Sequence, residues 1–458
     1  MLRDQDSMIF RTIHFWAVEI LLSVALSIFA PAARGQVLQS LYPFAVTNGY
    51  YPYAGLVEGS DGNFYGTTYQ GGMSDSGTVF KITPDGVLTS LISFNGANGA
   101  YPSAGLLLAS DGNFYGTTES GGGNDLGTVF KMTPALVLTT LVTFNGTNGS
   151  LPRAKLVQGT DGNFYGTTYQ GGSRGLGSVF RMTPSGVLTT LVSFYLNGTN
   201  PRGGLVQGSD GNFYGTTSLG GSSATGTVFK MTPAGALTTY VFSGSGLASS
   251  PRGELVEGSG RNFYGTTHSG GASNYGTVFK LTSAGKLTNL VSFANTNGSY
   301  PQAGLTLGND GNFYGTTYSG GTNDFGTIFM MTPAGKLATL ISFANSNGRY
   351  PLGELVQASD GNFYGTTFYG GAAGVGTVFR VVPASLPTTP ADLQLNLYAG
   401  LTLQGTVGGQ YQVEYNTDLT TTNWIPLTMI MLPSSPYLYV DTNAPATANR
   451  YYRAVGSP

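Results

Sequence analysis

The stretch DGNFYGTT at Asp61–Thr68 returns along the chain at steps of 49 or 50 residues. Seven registers of one phrase are typical of a tandem-repeat architecture, in which each repeat is one supersecondary unit. Five close copies begin at Asp111, Asp161, Asp210, Asp310 and Asp360, and an altered copy begins at Gly260.

One repeat unit spans Gly55–Phe94 and contains short apolar stretches separated by turn residues. Asp-Gly and Pro-x-Gly sequences favour tight turns, because they readily supply the backbone angles that such turns need. The predicted strands are Gly55–Gly59, Asn63–Thr68, Gly77–Thr83 and Val87–Phe94. Four antiparallel strands in about 50 residues are typical of a propeller blade. A parallel β-helix is the alternative, but its rungs are shorter and lack tight hairpins.

The number of copies predicts how the ring closes. The third-strand phrase GTVF and its variants occur seven times, and so does the fourth-strand phrase. The first fourth-strand copy, Val37–Phe44, precedes the first full unit, whereas the seventh unit runs from Phe379 into a proline-rich stretch. We therefore predict an all-β, seven-bladed propeller whose N-terminal strand completes the last blade and leaves no open sheet edge.

Within the repeated phrase, Phe64 and Tyr65 are adjacent and point to opposite faces of a strand. Each ring is expected to fill the gap to one neighbouring blade, with the tyrosine hydroxyl hydrogen-bonded. Gly66 is expected to permit close approach of another backbone. The repeated aspartate is interpreted as a turn residue rather than a metal ligand.

Composition narrows the classes of function. Of 458 residues, 12% are aromatic and only 9% are charged, and the formal net charge is −2. Aromatic content argues against disorder, and the charge gives no reason to expect nucleic acid as a partner. Cysteine is absent, which excludes disulfides and thiolate zinc sites. No metal or cofactor is predicted, and a monomer is expected.

The N-terminal segment differs from the repeats. Phe15–Ala30 is apolar but shorter than the roughly 20 residues that a spanning helix needs. We predict a signal peptide over residues 1–35, with cleavage near Ala33 or Gln36 and initiation at Met1 or Met8. The mature protein is then secreted, either extracellular or periplasmic, without membrane insertion; an uncleaved anchor is the alternative.

The C-terminal part has a different pattern from the propeller, which is predicted over residues 36–383. A proline-rich linker is predicted over 384–390, followed by a small Fn3/Ig-like β-sandwich over 391–458. Its alternating strands include Tyr411–Tyr415, Pro436–Val440 and Tyr451–Val455, with Trp424 as the core anchor.

The pattern DGNFYGTT–GG–GTVFK resembles the Gloeobacter/Verrucomicrobia tandem repeat from about Val37 to Val382. That resemblance implies an extracellular bacterial protein and carries no activity. The tail, with Tyr411–Leu419 and Arg450–Ala454, resembles a module of secreted Verrucomicrobia proteins. A looser likeness links the blades to virginiamycin B lyase-like and NHL propellers. That lyase relies on histidine and acidic residues around a metal, but the predicted mature chain keeps only His268.

Signals for catalysis are few, so no catalytic residue is assigned. Gly171–Gly175 fits the letters of a nucleophile elbow but lies in a glycine loop between strands, not at a strand-to-helix turn. Glu254 and Glu354, at equivalent positions two units apart, are the best pair for glycoside hydrolysis. Two solvated loop acids are the simpler interpretation of that pair.

Strand parity predicts where a ligand binds. The tight first-to-second and third-to-fourth turns share one rim, whereas the longer loops and inter-blade connections share the opposite rim. Loops on a rigid scaffold are where binding residues concentrate. We predict that this rim binds an extracellular glycan or a cell-surface protein, with acidic sugars paired to three arginines. A polysaccharide lyase or glycosidase at the channel mouth and a purely structural repeat protein are the alternatives. The candidate binding residues are Tyr53, Tyr69, Glu119, Arg153, Lys155, Tyr169, Arg202, Arg252, Glu254, His268, Tyr318, Glu354 and Phe368.

Overall fold

The computed structural model describes residues 36–242, 248–382, 399–403, 410–417, 420, 423–431, 437–441 and 451–456. The predicted signal peptide and the predicted linker lie outside the described residues. The described chain belongs to two units, the larger comprising residues 34–384 and the smaller including residues 385–458.

The larger unit is a propeller of seven antiparallel sheets, as predicted. Its blades are numbered along the chain, and four strands of each follow one another from the axis outward. The first strands are Val57–Glu58, Leu107–Leu108, Val157–Gln158, Val206–Gln207, Val256–Gly258, Thr306–Leu307 and Val356–Gln357. The second strands are Phe64–Thr68, Phe114–Thr118, Phe164–Thr168, Phe213–Thr217, Asn262–Ser269, Phe313–Thr317 and Phe363–Thr367.

The third and fourth strands form the outer half of each blade. The third strands are Thr78–Ile82, Thr128–Met132, Ser178–Met182, Thr227–Met231, Thr277–Leu281, Thr327–Met331 and Thr377–Val382. The fourth strands are Leu88–Ser93, Leu138–Thr143, Leu188–Ser193, Leu237–Val241, Leu287–Ser292, Leu337–Ser342 and, in blade seven, Val37–Pro43. Blade five has an additional short strand, Ser249–Pro251. Short 3-10 helices occupy Val46–Asn48, Ser259–Arg261, Asn295–Asn297 and Asn345–Asn347.

The N-terminal strand closes the ring. Val37–Pro43 pairs antiparallel with Thr377–Val382, so that Val37 lies opposite Val382. Phe44 follows this strand, is 1% exposed, and packs edge-on against Phe80 of blade one. The closure predicted from the displaced fourth-strand phrase is confirmed.

Aromatic stacking joins every pair of neighbouring blades. The second-strand tyrosine of each blade lies against the second-strand phenylalanine of the next, with ring centroids 3.9–4.3 Å apart at all seven interfaces. The prediction that adjacent rings fill opposite gaps is therefore confirmed. Stacked rings at these distances stabilise an interface beyond the area that they bury.

The repeated aspartate holds its own turn and the tyrosine. In blade one, the Tyr65 hydroxyl donates to Asp61 Oδ2 at 2.9 Å, and the Asn63 backbone N–H donates to Asp61 Oδ1 at 3.2 Å. Burial raises the pKa of Asp61, but hydrogen bonds from Asn63 and Tyr65 outweigh it, and the pKa falls below its ordinary value. This tyrosine–aspartate bond recurs in every blade except blade five.

Gly66 serves side-chain packing rather than close approach of a backbone. A Cβ atom at this position would lie 2.6 Å from Phe80 Cζ and 2.8 Å from Leu56 Cδ2. The phenylalanine of the third strand therefore lies across the glycine of the second strand. The threonines that follow are buried: Thr67 Oγ1 donates to Ala104 O of the next blade at 3.1 Å.

The smaller unit contains five described strands. Ala399–Leu403 pairs with Tyr437–Asp441, and Gln410–Asn416 lies between Ile425–Met431 and Tyr451–Gly456. Val413 is fully buried, whereas Trp424, the predicted core anchor, is half-buried. The small C-terminal sheet is thus present, and its assignment as an Fn3/Ig-like sandwich stays a prediction.

Candidate functional site

A cavity of about 490 Å³ opens on the axis of the propeller. Its walls are the inter-blade connections, each of which leads into a short first strand, and all seven blades contribute. Nine of the thirteen predicted site residues line it, namely Tyr53, Tyr69, Glu119, Arg153, Lys155, Arg202, Arg252, Glu254 and Glu354. The structure therefore brings residues of the longer loops and of the inter-blade connections together around one opening, as strand parity predicts.

Three arginines form a cationic arc from blade three to blade five: Arg153, Arg202 and Arg252. Arg153 is neutralised, because its Nη2 lies 2.6 Å from Glu119 Oε1. Its guanidinium also lies over the Tyr169 ring at 4.2 Å, and Arg202 lies over the same ring at 4.9 Å. Tyr169 thus contacts two cations, which helps to orient both guanidinium groups.

Arg252 is the least satisfied member of the cationic arc. Its Nη1 donates to Gln302 Oε1 at 3.2 Å, whereas its buried Nε has no hydrogen-bond partner among the described residues. Burial lowers the pKa of Arg252 to about 10, and the charge of Arg202 adds to this effect. Within the described chain, neither Arg202 nor Arg252 forms an ion pair. Two arginines, not the expected three, are left without a carboxylate.

His268 lies beside these arginines and is neutral at pH 7. Burial lowers its pKa to about 4, with further contributions from the charges of Arg252 and Arg202. Its ring stacks on Tyr300 at 5.1 Å, and Nδ1 lies 2.9 Å from Ser269 Oγ. His268 thus offers a neutral, flat surface rather than a third charge.

An aromatic arc occupies the rest of the rim, from blade six through blade seven to blade one. Phe368 stacks on Tyr51 at 4.9 Å and meets the edge of Tyr53 at 5.7 Å, while Tyr53 also contacts Tyr69 at 6.2 Å. We define this aromatic arc as Tyr51, Tyr53, Tyr69, Tyr101, Tyr318, Tyr350, Phe368 and Tyr369; all of these residues are half-buried.

Deeper in the cavity, Lys155, Glu254 and Glu354 form a channel triad. Equivalent positions in the other blades are Gly55, Gly105, Gly204 and Gly304. Lys155 Nζ lies 3.5 Å from Glu254 Oε2, and Glu354 Oε1 accepts a hydrogen bond from the Gly304 backbone at 3.2 Å.

The two glutamates are not the solvated loop acids that the sequence suggested. Both line the cavity, and the Glu254 side chain is only 16% exposed. Burial raises the pKa of Glu254 to about 7, with the charge of Lys155 opposing the rise and that of Glu354 adding to it. Glu254 in turn is the main cause of the raised pKa of Lys155.

The described residues contain neither a nucleophile elbow nor a metal-binding cluster. Ser173, of the Gly171–Gly175 motif, lies in an exposed loop between two strands rather than at a nucleophile elbow. The described ranges contain no group of three or more His, Asp or Glu side chains placed to share a metal ion. Within those same ranges, no helix has the length and apolarity to cross a membrane.

Sequence reasoning missed several rim residues. Tyr51, Tyr101 and Tyr350 directly precede an inter-blade proline and take positive φ angles of 56–58°. The same position also takes a positive φ in the remaining blades, so this strain belongs to the repeat rather than to one site. Aromatic residues directly before the inter-blade proline were the sequence feature that could have identified these rim residues.

Comparison with known families shows which family the chain belongs to. The Gloeobacter/Verrucomicrobia repeat matches at residues 27–158, 105–261 and 207–416. The chain belongs to this family. No curated protein matches the chain.

Solved structures similar to this member of the Gloeobacter/Verrucomicrobia repeat family show the fold alone, because their identities are low. A streptogramin B lyase is 15% identical, with a TM-score of 0.55 over 77% of this chain and 99% of the lyase. The BP39L lectin from Burkholderia pseudomallei is 11% identical, with a TM-score of 0.54 over 74% and 95%. A fungal alcohol oxidase of the AA5 family in complex with copper is 12% identical, with a TM-score of 0.50 over 90% and 92%.

Proposed function

We propose that this propeller is a non-catalytic binding protein for an acidic extracellular glycan, held on the loop-rich rim. One observation carries the proposal: Arg202 and Arg252 line the axial cavity without any carboxylate partner in the described chain. Guanidinium groups bind carboxylates and sulfates through paired, charge-assisted hydrogen bonds. An acidic group at this point would also supply an acceptor for the buried Arg252 Nε.

The aromatic arc supports a sugar as the carrier of that acidic group. Tyr53 and Tyr69 line the same cavity as the two arginines, so a ligand that spans the cavity can contact the rings and the guanidinium groups together. Aromatic side chains offer an apolar face and, in tyrosine, a polar hydroxyl. This combination suits a pyranose ring, which has an apolar face and a polar rim.

A polysaccharide-active enzyme is the second candidate, and Glu254 is the observation that favours it. A carboxyl group with a pKa near 7 is poised to donate or accept a proton at neutral pH. However, the Glu254 carboxylate lies 3.5 Å from Lys155 Nζ, and Glu354 accepts a hydrogen bond from the Gly304 backbone, so both carboxylates are already engaged. Depolymerisation of a bound polysaccharide that is lost in Glu254→Gln would favour this candidate over simple binding.

The proposed site of action is outside the cytoplasm. Phe15–Ala30 supports export, because it has the length and apolarity of a signal segment. N-terminal sequencing of protein recovered from the medium or periplasm tests this: a start near Ala33 or Gln36 is expected. An intact Met1 or Met8 terminus in a membrane fraction would contradict it.

A glycan array tests the binding function. Wild-type protein is expected to bind acidic glycans, and Arg202→Gln/Arg252→Gln to lose that binding. Lys286→Gln/Lys336→Gln is the matched control, because it removes two positive charges from exposed positions at the opposite rim. Equal binding by all three proteins would place the site elsewhere.

A further inference from the structure

Arg349 lies in the connection between blades six and seven and was not among the predicted site residues. Its guanidinium lies 5.7 Å from the Phe325 ring, 5.4 Å from Tyr350 and 5.3 Å from Tyr369. Three aromatic rings thus fix the position of one cation in advance, which reduces the ordering that binding would require.

Arg349 also lacks a carboxylate partner in the part of the chain that the structure describes. It forms no ion pair with the described residues, and its buried Nε has no hydrogen-bond partner among them. The repeat explains why: Tyr50 occupies the equivalent position before blade one, and its hydroxyl donates to Asp75 Oδ1 at 2.7 Å. The counterpart of Asp75 in blade seven is Gly374, so the carboxylate is missing where the arginine is present.

A continuous aromatic surface connects Arg349 to the axial cavity. Tyr369, which contacts the guanidinium, lies 4.7 Å from Phe368, and Phe368 lies 5.7 Å from Tyr53 in the cavity wall. A sugar chain that starts at the cationic arc can therefore follow the aromatic arc toward Arg349. The path from Tyr369 to Tyr53 therefore has Arg349 at one end and, at the other, the cavity that Arg202 and Arg252 also line.

We propose that Arg349, with Tyr350 and Tyr369, forms a second subsite for an acidic group. The ligand is then a glycan chain with at least two acidic groups rather than a single acidic sugar. This inference rests on the proposed function, since it extends the same binding surface. A carboxylate or sulfate at the second subsite would pair with the guanidinium while its sugar ring packs on the neighbouring tyrosines.

The rival explanation is that Arg349 only fills space between the blades. Stacking on three rings would then be its whole role, and its replacement would alter stability but not the dependence of binding on ligand length. Ligand length therefore separates the two explanations, because a short ligand reaches one cationic site and a long ligand reaches both.

The test measures affinity for two size series, uronic acid oligosaccharides of one to eight residues and heparin fragments of matched lengths. Wild-type affinity is expected to rise with length. Arg349→Gln is expected to leave the shortest binding ligand unaffected and to weaken the longest by roughly 10-fold or more, the loss typical of one charge-assisted contact. Arg349→Lys, which retains the charge, is expected to recover part of that affinity.

The outcomes distinguish this inference from the proposed function. An equal loss for short and long ligands, or no loss for any, would overturn the second subsite while leaving the Arg202/Arg252 site intact. Absence of binding to both series by the wild-type protein, or binding unchanged in Arg202→Gln/Arg252→Gln, would overturn the proposed function itself. Thermal unfolding of both Arg349 variants shows whether a binding loss comes from the fold.

Discussion

Tyr364 of the last blade stacks on Phe64 of the first, with ring centroids 4.0 Å apart and an interplanar angle of 30°. This contact joins the two ends of the repeat array in the same way as the six internal interfaces. A propeller without it would expose two aromatic faces where blade seven meets blade one. The closed ring fixes the positions of the loops on the loop-rich rim.

Closure by the N-terminal strand predicts a large stability difference between Phe44, which directly follows the strand, and Val37, at its start. Phe44→Ala removes a ring that is 1% exposed and should lower the free energy of unfolding by about 3–5 kcal/mol. Val37→Ser, at a position in the closing strand that is 62% exposed, should change it by less than about 0.5 kcal/mol. Denaturant titration of both variants measures this difference, and equal effects would contradict the closure.

Deletion of residues 36–46 should lower the unfolding temperature strongly, because it removes the strand that completes blade seven. An unchanged unfolding temperature would contradict closure by this strand.

The repeated tyrosine–aspartate bond has a natural control in blade five. Tyr115→Phe removes a hydroxyl that donates to Asp111 at 2.8 Å and should cost about 1 kcal/mol of stability. Tyr264→Phe should cost less, because Gly260 stands where the aspartate would be. Chemical denaturation compares the two variants. A larger loss at Tyr264 would show that the hydroxyl bond contributes little.

Glu254 should make stability depend on pH in a definite direction. Its pKa is raised from 4.5 to about 7, so the unfolded chain releases this proton at lower pH than the folded chain does. The contribution of Glu254 to wild-type stability is therefore lost as pH rises from 4.5 to 7. The stability of Glu254→Gln relative to wild type should therefore rise with pH across this window.

The difference between the two proteins is the quantity to measure, because His268 acts in the opposite direction. Its pKa is lowered from 6.5 to about 4, so its contribution to stability is lost as pH falls through that range. The two effects partly cancel in the wild type. A wild-type-minus-variant difference that does not change between pH 4.5 and 7 would show that Glu254 titrates normally.

Stacking on the aromatic arc should not depend on ligand charge. Tyr69→Ala is expected to weaken the binding free energy of the acidic and the neutral form of the same glycan by a similar amount, about 0.5–1.5 kcal/mol. Tyr69→Phe keeps the ring and should bind nearly as well as wild type. If Tyr69→Phe is as weak as Tyr69→Ala, the hydroxyl rather than the ring carries the interaction.

Periodicity predicted the backbone of this protein well and its charge pairing poorly. The displaced copy at Val37 and the adjacency of Phe64 and Tyr65 determine closure and stacking through strand geometry alone. The pairing of Arg153 with Glu119 depends on side-chain rotamers from two blades, which no single repeat encodes. For this reason the sequence suggested three free arginines where the structure leaves two.

The depth of the channel triad was equally hidden in the sequence. Glu254 and Glu354 occupy positions that are glycine in most repeats, and only the ring shows that these positions converge on the axis. Arg349 was missed because its repeat position holds tyrosine or a small residue in other blades. The missing carboxylate is recognised only from the fold, which places Gly374 where blade one has Asp75.

Titration of one glycan in two charge states tests acidic-glycan binding most directly. The ligands are an acidic oligosaccharide identified on the array and its carboxyl-reduced or desulfated form, each measured calorimetrically against wild type and Arg202→Gln/Arg252→Gln. Wild type should bind the acidic form at least about 10-fold more tightly than the neutral form, and the double variant should lose this preference. Equal affinity of wild type for both forms, or a preference retained by the double variant, would contradict a binding site built on Arg202 and Arg252.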